Sequence, residues 1–84
     1  MTLEEFHSDL RSLVDAWCDR RDLVLLRVIL RGYPMVSGMT DEWGELAVAL
    51  KTIRAQHKSL LAAGELDRVI ASQQFAESLV YSRA

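Results

Sequence analysis

The eleven residues DLVLLRVILRG, Asp22 to Gly32, decide whether this chain is read as all-helical or as mixed. Leu23 to Leu26 and Val28 to Leu30 form an aliphatic run broken only by Arg27, and such content also suits a β-strand. A half-buried strand alternates apolar with polar side chains, which this run does not do, and the chain offers no second strand to pair with it. Read as a helix over 22–31, the segment is capped by Asp19 or Asp22. It carries Arg31 in its last turn and closes with Gly32 as the residue after the C-cap.

Wound at about 100° per residue, the apolar side chains cover roughly 260° of the circumference and leave Arg27 and Arg31 a narrow polar strip. A helix in a small bundle needs an apolar stripe not much wider than about 100°. The surplus, Val24 and Val28 on one flank with Leu25 and Ile29 on the other, is therefore assigned to contact with another chain. An isologous dimer is the commonest such arrangement. The competing readings set the helix centrally among three neighbours, or give its open flank to a different protein.

Working outward, Thr2 with Glu5 three residues on is a capping-box pattern. Leu3, Phe6, Leu10, Leu13, Val14 and Trp17 then share a sector of roughly 100°, which predicts a helix over 3–18. On the other side, Thr40 or Asp41 opens a helix over 41–63. Asp41 and Glu42 suit the positive end of its dipole, and Gly64 ends it. Its stripe is Trp43, Leu46, Ala47, Leu50, Ile53, Leu60 and Leu61. A last helix over 66–81 has a weaker pattern: Leu66, Val69, Ile70, Ala76 and Val80 share one side, while Phe75 and Leu79 point elsewhere. Gly44 is the one glycine inside a segment, at a cost of about 1 kcal/mol relative to Ala. The fold expected is all-α, a small antiparallel bundle of four helices forming a single helical domain over residues 1–84.

The connection GYPMVSGM is mostly punctuation, with Pro34 beyond a helix end and Ser37-Gly38 as a turn. Tyr33, Met35, Val36 and Met39 either fold back over the end of the bundle or form an adaptable, Met-rich contact surface. Met39 lacks a staple partner, because the fourth residue of the following helix would be Gly44.

Catalytic constellations are missing. His7 and His57 lie in different segments, and Cys18 is three turns from His7, whereas helical neighbours stand three or four residues apart. Metal-ligand spacings and a phosphate-binding glycine loop are also absent. The chain is read as non-enzymatic, with no cofactor and no metal. Arg54 and His57 project into the apolar stripe of the third helix, as do Gln73 and Glu77 in the fourth. Antiparallel packing would bring Arg54 to Gln73 or Glu77, either as a structural pair or as a polar patch with Arg54 as a partner's anchor.

The formal net charge of −2 argues against nucleic acid as the main partner. Charge is nonetheless segregated. Glu4, Glu5, Asp9, Asp15 and Asp19 face a lone Arg11 in the first helix, while Arg20, Arg21, Arg27 and Arg31 surround the second. Pairing between these two helices is the simplest account. The alternative is a nucleic-acid-associated regulator using Arg20, Arg27 and Arg31 with Lys51, Arg54 and Lys58. The turn of about eight residues before the third helix is too long for a helix-turn-helix, and no aromatics interleave with the basic residues.

The acidic start MTLEEFHSDL lacks the basic and apolar regions of a secretory leader, and no run approaches the roughly 20 residues needed to span a bilayer. A lone Cys18, read as a small core filler, fits a reducing compartment. The expectation is a cytoplasmic, self-associating protein–protein interaction module, of adaptor, inhibitor or immunity type or an assembly subunit. Its partner-binding residues are Val24, Leu25, Val28, Ile29, Tyr33, Met35, Met39 and Arg54.

Overall fold

The capping box at Thr2 forms in full. The Thr2 hydroxyl accepts from the Glu5 N–H at 3.2 Å, and the Glu5 carboxylate accepts from the Thr2 N–H at 3.1 Å. Two amides that helix geometry leaves without partners are thereby satisfied. This computed structural model describes residues 2–34 and 40–83. Helix α1 spans Leu3–Asp19, α2 Leu23–Ile29, α3 Thr40–Gln56 and α4 Glu65–Arg83. The protein is an all-α bundle of these four helices. The readings made for Met35, Val36, Ser37, Gly38 and Met39 fall outside the described residues.

α4 is the common partner. α1 runs antiparallel to it: Phe6 stacks on Phe75 with ring centres 4.8 Å apart, and the Trp17 indole N–H donates to Glu65 at 3.1 Å. α3 also runs antiparallel to α4, since Gly44 shares a groove with Val80 and the Arg54 guanidinium donates to the Gln73 amide oxygen. α2 lies across α1 and α3. The interior is filled by Phe6, Leu10, Leu13 and Trp17 of α1, Leu25 and Ile29 of α2, Trp43, Leu46, Leu50 and Ile53 of α3, and Val69 and Ala76 of α4.

α2 is shorter than the 22–31 expected. Asp22 caps it, accepting from the Leu25 N–H at 3.2 Å, but regular helix ends at Ile29. Arg31 and Gly32 then bond to carbonyls only three residues back, at 3.2 and 3.1 Å, so the chain tightens. Gly32 is required for a different reason than the one read from its position. Its φ is not left-handed. A Cβ there would stand 2.6 Å from the Leu46 Cα and 2.7 Å from the Leu46 nitrogen. The glycine lets the end of α2 rest directly on the α3 backbone, which cannot give way as a side chain could. Gly32→Ala is expected to cost about 2–3 kcal/mol, read as a lowered urea midpoint. An unchanged midpoint would mean that α2 rides freely over α3.

α3 stops at Gln56 rather than at 63, although neither Pro nor Gly marks the stop. Seven more residues would have carried the helix about 10 Å farther. Polar Gln56, His57, Lys58 and Ser59 offer nothing to bury along that length. Instead Lys58–Leu60 form a single 3-10 turn and Leu61 is extended. Leu61 thereby reaches the core, while Leu60 stays exposed. Gly64, at φ +84, takes the left-handed conformation that starts α4.

α4 begins at Glu65, and its buried face differs from the one inferred. Glu65, Val69, Ser72, Gln73 and Ala76 are buried, and Phe75 and Leu79 pack against the core from one flank. Polar Glu65 at its start and Ser72 within it disguised this face, whereas Gln73 is buried as its place in the stripe predicts. The Gln73 side chain accepts from Arg54 and donates to Glu77, whereas the Ser72 hydroxyl has no partner among the described residues.

Glu65 gathers the connection. Its carboxylate accepts from the Trp17 indole, from both terminal nitrogens of Arg20 at 2.8 and 3.0 Å, and from the Ala62 backbone N–H at 2.9 Å. The Arg20 guanidinium, above all, holds its pKa down to about 2 against burial, helped by the Ala62 and Trp17 bonds. The unfolded chain binds a proton at Glu65 near pH 4.5 and the folded chain only near 2. This carboxylate therefore contributes stability in full above about pH 4.5, on the order of 2–3 kcal/mol, and loses it as pH falls toward 2. Glu65→Gln is expected to cost about that much at pH 7. Its unfolding free energy should also fall less steeply than the parent's between pH 4.5 and 2. Parallel pH profiles would refute this account.

Candidate interaction surface

α2 turns one side inward and leaves an edge in solvent. Leu25, Val28 and Ile29 are buried by this chain's own α1 and α3, so the apolar surplus assigned to them is absent. These three core residues are not available to a partner in the folded chain. Of the four residues assigned to the surplus Val24 alone is exposed, and Leu23 and Leu30 join it on the same helix. Leu23 is 70% exposed, Leu30 54% and Val24 44%. At about 100° per residue, Leu23, Arg27 and Leu30 fall within roughly 60° of one another, with Arg31 and Val24 beside them. The signal was present in the sequence. The residues flanking the narrow arginine strip, and not those opposite it, are the uncovered ones.

Tyr33 is half-buried against the core and Pro34 is exposed, joined by a cis peptide bond. Arg54 is exposed and donates to Gln73 at 3.4 Å, so the antiparallel pairing expected from the wheel is present as a link between helices. Cys18 is exposed and free, contrary to its reading as a core filler. Neither His7 nor His57 is hydrogen-bonded to it among the described residues.

The acidic α1 does not pair with the basic α2. Its Asp9 binds Arg68 of α4, with Nη2 to Oδ1 at 2.7 Å, and Arg20 at its C-cap is committed to Glu65. Arg27 and Arg31 are exposed and form no ion pair among the described residues. Of the two basic clusters, Arg20 is committed to Glu65, while Arg54 keeps its charge as it donates to the neutral Gln73 amide.

A second surface feature was not read from the sequence. Between α3 and the C-terminal half of α4 run two adjoining hollows of about 800 and 240 Å³, sharing Gly44, Val48 and Val80. Val48 is 64% exposed, and Asp41 and Glu45 rim the larger hollow beside Arg31. A Cβ on Gly44 would meet nothing within 4 Å. Gly44 thus weakens α3 without any packing need inside the chain. Gly44→Ala is expected to raise stability by about 1 kcal/mol, the helix-propensity difference, in urea unfolding at low protein concentration. A loss would reveal a contact at Gly44 within the chain.

Among the described residues, no helix is long and apolar enough to cross a membrane, and no three His, Cys, Asp or Glu side chains could jointly hold a metal ion. Compared with known proteins, the chain matches no family model, no curated protein and no solved structure.

Proposed function

We propose that the chain is a small, non-enzymatic, self-associating protein–protein interaction module of the adaptor, inhibitor or assembly-subunit kind, working through the outer edge of α2. The observation that carries this reading is the exposure of Leu23 at 70% and Leu30 at 54% on a helix whose other side is locked in the core. Two large aliphatic side chains on one edge, beside Val24, form an apolar patch of the kind that marks contact sites. Arg27 and Arg31 flank it with a positive rim, and arginine is a favoured interface residue.

A nucleic-acid-associated role draws less support. Arg20 and Arg54, which it would need, are held by Glu65 and Gln73, and phosphate contact would leave Leu23 and Leu30 uncovered. An exposed, unpaired Cys18 fits a reducing, cytoplasmic setting.

The test is a photo-crosslinking amino acid placed at position 23 in the living source cell, with the same residue at exposed Gln74 as control. A discrete covalent product, with itself or with one other protein, is expected from position 23 alone. No product, or the same ladder from both positions, would remove the basis for the reading.

A further inference from the structure

The edge of α2 and the α3–α4 groove are neighbours on one face of the molecule. They meet where Gly32 rests on Leu46, and Arg31 belongs to both, following the C-cap of α2 and lining the groove. On one side of this line stands a ridge, with exposed Leu30 and Leu23 and the unpaired cations of Arg27 and Arg31. On the other lies a concave strip lined by Gly44, Val48 and Val80, with the exposed carboxylates of Asp41 and Glu45 along the larger hollow and Lys51 beside Glu77 in the smaller. A basic ridge thus adjoins the acidic rim of the larger hollow, with Arg31 at the boundary. Leu23, Val48 and Leu30 are the three most exposed of the large apolar residues described, two on the α2 edge and one in the groove lining.

A surface whose two halves complement each other can be covered by its own copy about a two-fold axis, each contact being made twice. Pairing α2 against α2 would instead bring four arginines together, and like charges across an interface are unfavourable. We propose that a second copy of this chain covers the face: the Leu30–Arg31 ridge of each copy docks into the Gly44–Val48–Val80 groove of the other. The cations of Arg27 and Arg31 then meet the partner's Asp41 and Glu45. Gly44 gains a purpose here that the single chain does not give it, because a side chain there would fill the floor of the groove. The demand on area is modest. A specific interface takes about 600–1,000 Å² from each copy, between a ninth and a fifth of the 5321 Å² surface.

This inference rests on the α2 edge being a contact surface, and sedimentation velocity on the purified full chain separates the two ideas. The wild-type protein, with reductant and moderate salt, is expected to shift from monomer to dimer as concentration rises. Arg27→Glu with Arg31→Glu, and separately Asp41→Lys with Glu45→Lys, should each raise the dimer dissociation constant roughly tenfold or more. An equimolar mixture of these two variants should dimerise again, since each ridge then faces a groove of opposite charge. Val48→Glu alters an exposed side chain without reversing the α3 dipole pairing, so its monomeric state would not stem from a damaged fold; far-ultraviolet circular dichroism checks this for every variant. A wild-type monomer at all concentrations overturns the proposal. So does a dimer indifferent to the groove variants. If position 23 still crosslinks to another protein in either case, the α2 edge remains a contact surface, and a monomeric wild type removes self-association from the reading along with the second copy.

Discussion

The carboxylate of Glu65 is the constraint on which the arrangement of α1, α4 and their crossing depends. A buried carboxylate is costly unless its oxygens are satisfied, and this one draws its donors from two stretches of chain. Trp17 and Arg20 come from the end of α1, and Ala62 from the approach to α4. Each donor can reach it only if α1 ends where it does and the chain leaves α3 early enough to swing back. The early stop of α3 at Gln56 and the extended Leu61 are thus parts of one solution. Apolar packing alone would tolerate sliding of α1 along α4, whereas four directional bonds to one group set the register.

At the opposite end of the core, order is set by shape. Phe6, Trp43 and Phe75 lie with ring centres between 4.8 and 6.2 Å apart, and His7 stands edge-on to Phe6 at the surface. Between the two ends, Gly32 brings α2 onto the α3 backbone. The seven residues of α2 are too few to be stable alone. They stay helical because Leu25, Val28 and Ile29 are enclosed, which also fixes the outer edge in place.

Features governed by local rules could be read directly. The capping box at Thr2 and the stripe from Phe6 to Trp17 depend on side chains a few residues apart, and they appear as expected. The helical nature of Leu23–Ile29 followed from the failure of alternation. What escaped was set by distant contacts. No Pro or Gly near Gln56 announces a stop; only the polar run from Gln56 to Ser59 hints at it, and the return toward Trp17 and Arg20 is a distant contact. Glu65 stood just before the helix read over 66–81, so nothing marked it as a junction, and Ser72 obscured the buried face of α4, although Gln73 was legible on it. The breadth of apolar surface on α2 was legible, but which part of it stays uncovered was not: that depends on the side from which α1 and α3 approach. The groove beside Val48 is a property of two helices together, so only the isolated Gly44 hinted at it.

The two tryptophans occupy the two ends just described, Trp17 bonded to Glu65 and Trp43 against Phe6 and Phe75. Along α4 their partners are ten residues apart, about 15 Å. The molecule therefore carries a separate optical probe at each pole of its core. The indole emission of Trp17 follows the ionic junction, and that of Trp43 follows the aromatic end that adjoins the groove. Chains retaining one tryptophan at a time would resolve, by colour and quenching alone, whether the poles loosen together or in sequence.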